Sequence, residues 1–250
     1  MLTTATSVLA SVLSSCPAIG PSGARHAVLF LHGLGFTGNE TRLWLEQSDS
    51  GRTFGAAMAR AGVRMFFPSA TDIPYTLAGG RTMSAWYDRT GLPPTAAEHQ
   101  PSVDASVAQL EETVDALARE GIPPSRVAVG GFSQGGGIAL QLAYRGSATG
   151  SLLAGVFVLS SYANDDSPMW AALDADGDRR RPPLFQRHGA ADDYILASWG
   201  EVTAAKLQSR SVAVDFAKEP RLGHQMSDRS LTELSGWVAR TLSISAQEDV

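Results

Sequence analysis

The sequence predicts an α/β fold with a mainly parallel central sheet and helices on both of its faces. Residues 27–31 (AVLFL) and 152–159 (LLAGVFVL) have strand length and are apolar at almost every position, which is typical of parallel strands buried on both sides. Segments of helical periodicity lie between such strands. Strands that alternate with helices form parallel sheets, which bind ligands at the carboxyl ends of their strands. We therefore expect the chemistry to lie in the loops that follow the strands.

Strands and helices alternate along the chain. Strands are expected at residues 27–31, 63–67, 126–131, 152–159, 183–187 and 212–216. Helices are expected at residues 52–61, between Pro101 and Gly121, at 138–144 and 198–208, and in a last segment with Leu231, Leu234, Trp237 and Val238 on one face. In the second helix, apolar residues recur at steps of four and three and predict one buried stripe: Val103, Val107, Leu110, Val114 and Leu117.

Length and composition predict a single domain. The chain has 250 residues, of which 44% are hydrophobic and 18% are charged, which suffices for one substantial core. We expect one domain over residues 1–250, with residues 1–24 as an N-terminal extension that ends in an edge strand and residues 243–250 as a mobile tail. The GPSG segment at residues 20–23 is expected to turn this edge strand into the next strand.

Charge and hydropathy exclude some classes of protein. The net charge of −5 and the pI near 5.5 argue against a nucleic-acid-binding protein, which normally has a basic excess. No apolar run reaches the roughly 20 residues of a membrane-spanning helix. The first basic residue is Arg25, so we interpret the N-terminal segment as part of the mature chain and not as a signal peptide.

Cys16 is the only cysteine. It forms no internal disulfide, which favours a reducing compartment and a cytoplasmic location. Because no neighbouring residue would lower its pKa, we expect a half-buried strand thiol and not a nucleophile.

Two glycine-rich segments are candidate phosphate sites, and neither fits. Residues 33–38 (GLGFTG) match G-x-G-x-x-G after a strand, but a dinucleotide fold also needs an acid about 20 residues further on, at the end of its second strand. Here the first acid after that strand is Asp72, too far along, and His32 is unusual before a phosphate turn. The glycines after Ser133 lack the Lys-Ser or Lys-Thr of a phosphate loop.

The segment GFSQG at residues 131–135 matches G-x-S-x-G. Its serine, Ser133, follows an apolar strand and opens an apolar helix, which is the context of a nucleophile elbow. In such a turn the serine is strained, and a side chain two residues before or after it would clash with the neighbouring strand or helix. Free N–H groups at the helix N-terminus then face the charge that develops on the substrate. The pattern predicts that Ser133 is a nucleophile.

A serine nucleophile needs a base, and in the elbow fold the base is a histidine that follows the acid in the chain. His188 and His224 both follow Ser133. His188 precedes the candidate acids, which leaves His224, in a loop before the last helix, as the expected base.

The acid is expected directly after the strand at residues 183–187, where Asp192 and Asp193 stand side by side. We prefer Asp192, although spacing alone does not separate the two. Of the rival acids, Asp215 lies inside a strand, and the others lie in a polar segment at residues 164–181, where solvated loop acids are expected. These rivals are Asp165, Asp166, Asp174, Asp176, Asp178 and Asp215.

Two backbone N–H groups are expected to bind the oxyanion. One belongs to Gln134, directly after the nucleophile. The other comes from a loop after an earlier strand, and Leu34 in the segment LHGLG at residues 31–35 fits this role. This role explains the glycines there without a nucleotide.

Five segments in this order resemble the acyl-protein thioesterase and lysophospholipase family of small α/β-hydrolases: FLHGLGFTGNE, AWYDR, GGFSQGG, HGAADD and a late GH. The resemblance extends from about residue 10 to residue 240. It implies an α/β-hydrolase fold with a nucleophile elbow. It also implies Ser133 as nucleophile, Asp192 as acid, His224 as base, and Leu34 and Gln134 as oxyanion donors.

The resemblance further implies two substrate-binding residues. Trp86 of AWYDR would line the acyl side of the pocket, with a packed loop tryptophan as the alternative. Phe36 stands where the family usually has aspartate, which changes the charge at the pocket mouth. Residues 75–89 and 184–201 resemble the lysophospholipase-like branch, which favours short acyl groups, whereas Gln134 is typical of the thioesterase branch, which accepts long ones. The chain-length preference therefore stays open.

The sequence predicts a serine hydrolase of carboxylic esters or thioesters that requires no metal and no cofactor. By resemblance, its substrates would be S-acylated proteins, including palmitoylated ones, lysophospholipids and small acyl esters, with transient contact to membrane-associated substrates. Two alternatives stay open, namely another hydrolase or peptidase of the same fold and a binding protein that keeps the pocket without turnover. The sequence makes no prediction of the oligomeric state.

Overall fold

The computed structural model describes residues 13–175, 177 and 180–248, with side chains up to residue 242. Residues 1–12 of the expected N-terminal extension lie outside the described residues. The extension leads into β1 (Ala18–Ile19), an edge strand of the sheet, and Gly20 leaves this strand with a φ of 112°. Cys16 is half-buried just before β1 and not within it. Burial raises the pKa of its thiol to about 12, which does not suit a nucleophile.

Besides β1, the central sheet contains β2 (His26–Leu31), β3 (Val63–Phe66), β6 (Val127–Phe132), β7 (Gly155–Leu159), β8 (Leu184–Gly189) and β9 (Val214–Glu219). In the part of the chain that the structure describes, these seven strands lie in the order β1-β3-β2-β6-β7-β8-β9, and all are parallel except β1. Strands β4 (Asp72–Tyr75) and β5 (Arg81–Ser84) form a separate hairpin. The mainly parallel sheet is thus confirmed. Several predicted boundaries are shifted by a few residues. The strand expected from Leu152, for example, begins only at Gly155, because Leu152 ends a short helix.

The α-helices that lie wholly within the described residues are α1 (Gly38–Gln47), α2 (Asp49–Arg60), α3 (Gln100–Arg119), α4 (Gln134–Tyr144), α5 (Ala148–Leu152), α6 (Pro168–Ala175), α7 (Ala197–Gln208) and α8 (Asp228–Glu248). The predicted helices correspond to α2, α3, α4, α7 and α8, and the whole predicted stripe of α3 is buried. Helix α8 runs into the segment 243–250 as far as Glu248, and the mobility of that segment stays a prediction. Among the described residues, no helix combines the length and the apolarity needed to cross a membrane.

The pattern of apolar residues did not predict helix α1, although a capping motif in the sequence marks its N-terminus. The Oγ1 of Thr37 accepts the N–H of Glu40, and the Glu40 carboxylate accepts the N–H of Thr37, which is a capping box. Helix α6 lies inside the polar segment at residues 164–181, which we expected to be a solvated loop. It forms there because Trp170 and Leu173 find apolar partners in the core.

The two faces of the sheet bury separate apolar cores. In β2, Leu29 and Leu31 point to one face and Val28 and Phe30 to the other, and all are fully buried, as the two-residue period of a strand requires. Helices α3, α4, α6 and α7 cover the first face, and α1, α2 and α8 cover the second. Packing on both faces holds the strand ends rigidly, and the loops that follow them carry the candidate site.

Ser133 alone makes the turn between β6 and α4, with a φ of 54° and a ψ of −124°. Such a conformation costs about 1–3 kcal/mol for a residue with a side chain. The carbonyl oxygen of Leu31 in β2 approaches both flanks of the turn. A Cβ at Gly131 would lie 2.2 Å from this oxygen, and a Cβ at Gly135 would lie 2.3 Å from it. These contacts are the steric reason for glycine at both positions.

We expect Gly135→Ala to lower the free energy of unfolding by about 1–3 kcal/mol or more, because its methyl group would overlap backbone oxygens of the central sheet. Gly55→Ala in α2 is the matched control, since a Cβ there would have the flexible Met65 Cε as its nearest neighbour, at 3.7 Å. This control should gain about 0.5–1 kcal/mol from helix propensity. Denaturant unfolding measures both changes, and a similar effect of the two substitutions would contradict the steric explanation.

Candidate active site

Ser133, His224 and Asp192 meet at the carboxyl edge of the sheet. The Nε2 of His224 lies 3.0 Å from the Oγ of Ser133, and its Nδ1 lies 2.7 Å from the Oδ2 of Asp192. The three residues follow β6, β9 and β8 respectively. Because the carboxylate only accepts hydrogen bonds, Nδ1 carries the proton and Nε2 accepts the hydrogen of the serine hydroxyl. The structure therefore brings together the three side chains that the sequence predicts.

The surroundings of Asp192 distinguish it from Asp193. Asp192 is buried, and its Oδ1 accepts the N–H groups of Tyr194, at 3.1 Å, and Ile195, at 2.8 Å. Its Oδ2 is thereby directed to His224. Asp193 is exposed. The geometry selects Asp192 where spacing left the choice open.

Two aromatic rings contact the imidazole of His224. The ring centroid of Phe132 lies 4.7 Å from it, and that of Tyr194 lies 5.3 Å from it. These contacts restrict rotation of the imidazole and keep Nε2 directed at Ser133. Neither ring was predicted, because their positions depend on how three separate loops pack.

The N–H groups of Leu34 and Gln134 are free to donate beside the nucleophile. Gln134 opens α4, so its N–H has no acceptor within the helix. Leu34 lies in the loop after β2, and its N–H has no acceptor among the described residues. This loop packs against Ser133, since a Cβ at Gly33 would lie 3.6 Å from the Ser133 Cβ. Both predicted donors are therefore near the nucleophile.

His32 anchors the loop that carries Leu34. Its Nδ1 donates to the Gly33 carbonyl at 2.8 Å, and its Nε2 accepts the N–H of Ala70 at 2.9 Å. Burial lowers the pKa of His32, and the neutral ring satisfies both bonds. The position of this histidine before the glycines is thus explained by its role in fixing the loop.

His188 contacts the loop that carries Asp192. Its Nε2 donates to the Ile195 carbonyl at 2.8 Å and lies 3.5 Å from the Oδ2 of Asp192. Burial lowers the pKa of His188, although the charge of Asp192 acts in the opposite direction. It links the end of β8 to the turn at residues 192–195.

Trp86 lies beneath the site and does not line the cavity beside Ser133 and His224. Its side chain is 0% exposed, and its Nε1 donates to the His32 carbonyl at 2.9 Å. Its own N–H donates to the Oε1 of Gln134, whose Nε2 donates to the Tyr87 carbonyl. The expected contact of Trp86 with an acyl group is therefore corrected to the alternative, a packed tryptophan, because its ring fills the space under the oxyanion loop.

A cavity of about 290 Å³ lies beside the triad, between α1 and the loop that carries His224. Its apolar lining includes Phe36, which is 57% exposed, and Trp44, which is 39% exposed. Phe132 and Met226 complete the apolar wall. Phe36 was expected at a pocket, whereas Trp44 and Met226 were not, because no local pattern pairs these segments. In the part of the chain that the structure describes, no group of His, Cys, Asp or Glu is arranged to hold a metal ion.

A buried polar cluster holds the AWYDR segment behind the site. The Nη1 of Arg89 donates to the hydroxyl of Tyr162 at 2.8 Å, and its Nε donates to that of Tyr75 at 3.2 Å. The Glu98 carboxylate accepts from the Nε2 of Gln141 at 3.1 Å. Burial raises the pKa of Glu98 to about 7, although the charge of Arg89 acts in the opposite direction.

A nucleophile elbow, an aligned histidine and a buried carboxylate on a mainly parallel sheet define an α/β-hydrolase. The chain belongs to the phospholipase/carboxylesterase family, whose model matches residues 17–242. This range includes every strand of the central sheet and all three residues of the triad.

Two similar proteins agree with this assignment, and a solved structure shares the fold. Lysophospholipase-like protein 1 of Mus musculus is 34% identical over 225 residues, which are 90% of this chain and 90% of that protein. Acyl-protein thioesterase 1 of Neurospora crassa is 28% identical over 241 residues, 94% of this chain and 95% of that protein. The crystal structure of Zea mays acyl-protein thioesterase 2 shares the fold, with a TM-score of 0.75 at 24% identity over 91% of this chain and 98% of that one. The chain is accordingly a hydrolase of the carboxylesterase and thioesterase kind.

We expect Glu98→Gln to remove a pH dependence of stability. The pKa of Glu98 is raised from 4.5 to about 7 in the folded chain, so between these values the folded state keeps a proton that the unfolded state releases. The contribution of Glu98 to the free energy of unfolding therefore decreases as the pH rises from about 4.5 to about 7. The free energy of unfolding of the variant minus that of the wild type should therefore be larger at pH 8 than at pH 5.

Denaturant unfolding at both pH values measures this difference, and Glu112→Gln, at an exposed position on α3, is the control. This control should follow the wild type at both pH values. A stability difference between Glu98→Gln and wild type that is the same at pH 5 and pH 8 would contradict the prediction.

Proposed function

We propose that the chain is a serine hydrolase that cleaves carboxylic esters and thioesters through an acyl-enzyme on Ser133. The hydroxyl attacks the acyl carbon while the Nε2 of His224 takes its proton, and the N–H groups of Leu34 and Gln134 bind the oxyanion. When the tetrahedral intermediate collapses, the bond to the leaving sulfur or oxygen breaks, and the leaving atom takes the proton from Nε2.

Water then attacks the acyl-enzyme and gives a proton to the Nε2 of His224. The bond between the acyl carbon and the Oγ of Ser133 breaks, Oγ recovers the proton, and the free acid leaves. Asp192 accepts the Nδ1–H throughout, which holds the tautomer and stabilises the imidazolium that forms in each half-reaction. These steps use only groups of the chain and water.

The unbroken series of hydrogen bonds from Ser133 through His224 to Asp192, at 3.0 and 2.7 Å, carries the proposal. A binding protein without turnover has no use for an aligned base, or for a strained backbone that presents a hydroxyl beside free N–H groups. The triad therefore disfavours this alternative. A peptidase of the same fold would use the same groups, and the substrates in the assays below distinguish it.

The names of the relatives support the proposed substrates. They include a lysophospholipase-like protein and acyl-protein thioesterases, so we propose S-acylated proteins, lysophospholipids and small acyl esters. Removal of palmitoyl groups from proteins would be one such reaction, with transient contact to membrane-associated substrates. A cytoplasmic location is part of the proposal, since a single cysteine suits a reducing compartment.

Asp192→Asn should lower kcat/KM for p-nitrophenyl butyrate by roughly 10⁴, because an amide would hold His224 in the wrong tautomer. Asp193→Asn is the matched control, and its rate should stay within about twofold because this side chain is exposed and outside the triad. Steady-state kinetics with both variants give the comparison. If Asp193→Asn lowered kcat/KM more than Asp192→Asn does, the assignment of the acid would be wrong.

A fluorophosphonate probe should label the wild-type protein and leave Ser133→Ala unlabelled, because only an activated serine reacts with it. Persistent labelling of the variant would end the proposed mechanism. Hydrolysis of p-nitrophenyl esters with acyl chains from acetyl to palmitoyl then determines the chain-length preference. Cleavage of peptide bonds at rates above those of all these esters would favour the peptidase.

A further inference from the structure

The cavity beside the triad touches the base and not the nucleophile. One wall consists of His224 with Gln225 and Met226, which follow it, and the other includes Phe36 and Trp44. Among the described residues of the site, Ser133 and the two oxyanion donors do not contribute to its lining. The cavity therefore opens to one particular side of the reacting carbon.

The reaction mechanism determines in which direction each substituent of that carbon points. In the tetrahedral intermediate the carbon is bonded to the Oγ of Ser133, and its oxyanion points to the N–H groups of Leu34 and Gln134. The leaving atom must face the Nε2 of His224, which protonates it. The acyl chain takes the remaining direction. A group bonded to the leaving atom thus continues past His224, which is where the cavity lies.

We propose that this cavity binds the leaving group of the substrate and prefers an uncharged, apolar or aromatic group. The proposal rests on the serine-hydrolase function proposed above. The volume of about 290 Å³ is at the lower end of the range of small-molecule pockets, which starts at roughly 300 Å³. A cavity of this size accommodates a benzyl-sized group.

Charge at the cavity favours the same class of leaving group. Glu40 contributes to the lining, and its Oε2 is fixed by the N–H and the hydroxyl of Thr37, each at 2.8 Å. The described residues that line the cavity include no lysine or arginine. A phosphate on the leaving group would therefore meet a carboxylate, and the imidazolium that His224 forms during the reaction would be the only cation among the described lining residues. The site should favour the thiol of a neutral or basic peptide over a lysophospholipid.

Two series of thioesters separate the leaving group from the acyl group. In the first series the acyl group is butyryl and the thiol is benzyl mercaptan, N-acetylcysteamine or 3-sulfanylpropanoate. In the second series the thiol is benzyl mercaptan and the acyl group is acetyl, butyryl or octanoyl. Every member of the first series forms the same butyryl-enzyme, and all members therefore share one deacylation rate. Differences in kcat/KM within this series consequently measure the acylation step alone.

Trp44→Ala and Phe36→Ala should each lower the preference in kcat/KM for benzyl over N-acetylcysteamine by about tenfold, because apolar contacts to the leaving group are lost. The ratio between octanoyl and acetyl should stay within about twofold. Two exposed positions are used, so that one variant suffices if the other fails to fold. Leu152→Ala, at an exposed apolar residue outside the cavity, is the control and should change neither ratio.

Glu40→Gln tests the charge, because glutamine keeps the capping box with Thr37 while it removes the carboxylate. It should raise kcat/KM for the 3-sulfanylpropanoate thioester relative to N-acetylcysteamine by about threefold or more. No change in this ratio would show that the carboxylate does not face the leaving group.

The proposal is wrong if the cavity variants shift the ratio between octanoyl and acetyl and leave the leaving-group ratio unchanged, since the cavity would then hold the acyl chain. It is also wrong if neither ratio changes. Failure of the proposed function has a different signature. In that case the fluorophosphonate would not label Ser133, and the wild-type protein would hydrolyse no thioester faster than Ser133→Ala.

Discussion

The close approach between the end of β2 and the turn at Ser133 sets the geometry of the site. The carbonyl oxygen of Leu31 leaves no room for a Cβ at Gly131 or Gly135, so the turn is sharp and its serine is strained. Because β2 continues directly into the loop with Leu34, the same approach places one oxyanion donor beside the other, at Gln134. Nucleophile and oxyanion donors thus depend on a single packing contact at the centre of the sheet.

Three histidines lie in or beside the loops of the site, and their hydrogen-bond partners differ. His32 and His188 direct ring nitrogens at backbone groups, and burial lowers the pKa of both rings, so they hold loops in place. His224 instead has a carboxylate at one nitrogen and a hydroxyl at the other, which is the arrangement of a general base. The rings of His32 and His188 fix the loops of Leu34 and Asp192. In the proposed mechanism, the ring of His224 is thereby left to take up the proton of Ser133.

Most of the sheet and the triad could be predicted because they follow from local patterns. Apolar runs mark the strands, glycines flank the elbow, and chain order leads to His224. The choice between Asp192 and Asp193 needed burial and hydrogen bonds, since adjacent residues share any spacing argument. Trp86 was misplaced because its segment folds beneath the loop with His32, a tertiary contact without a local signal. The cavity escaped prediction for the same reason, since its walls come from opposite ends of the chain.

The structure also separates the residues that set the chemistry from those that contact the substrate. The side chain of Gln134, which by resemblance is typical of the thioesterase branch, is buried and bound to the backbone of Trp86 and Tyr87. It does not line the cavity, so any effect on chain length would act through the loop at residues 86–87. Phe36 and Trp44, in contrast, are partly exposed on the rim and can vary without disturbing the elbow. The substrate preference should therefore depend on the residues of α1 and of the loop before α8. Gln134 instead supports the segment that packs beneath the oxyanion loop.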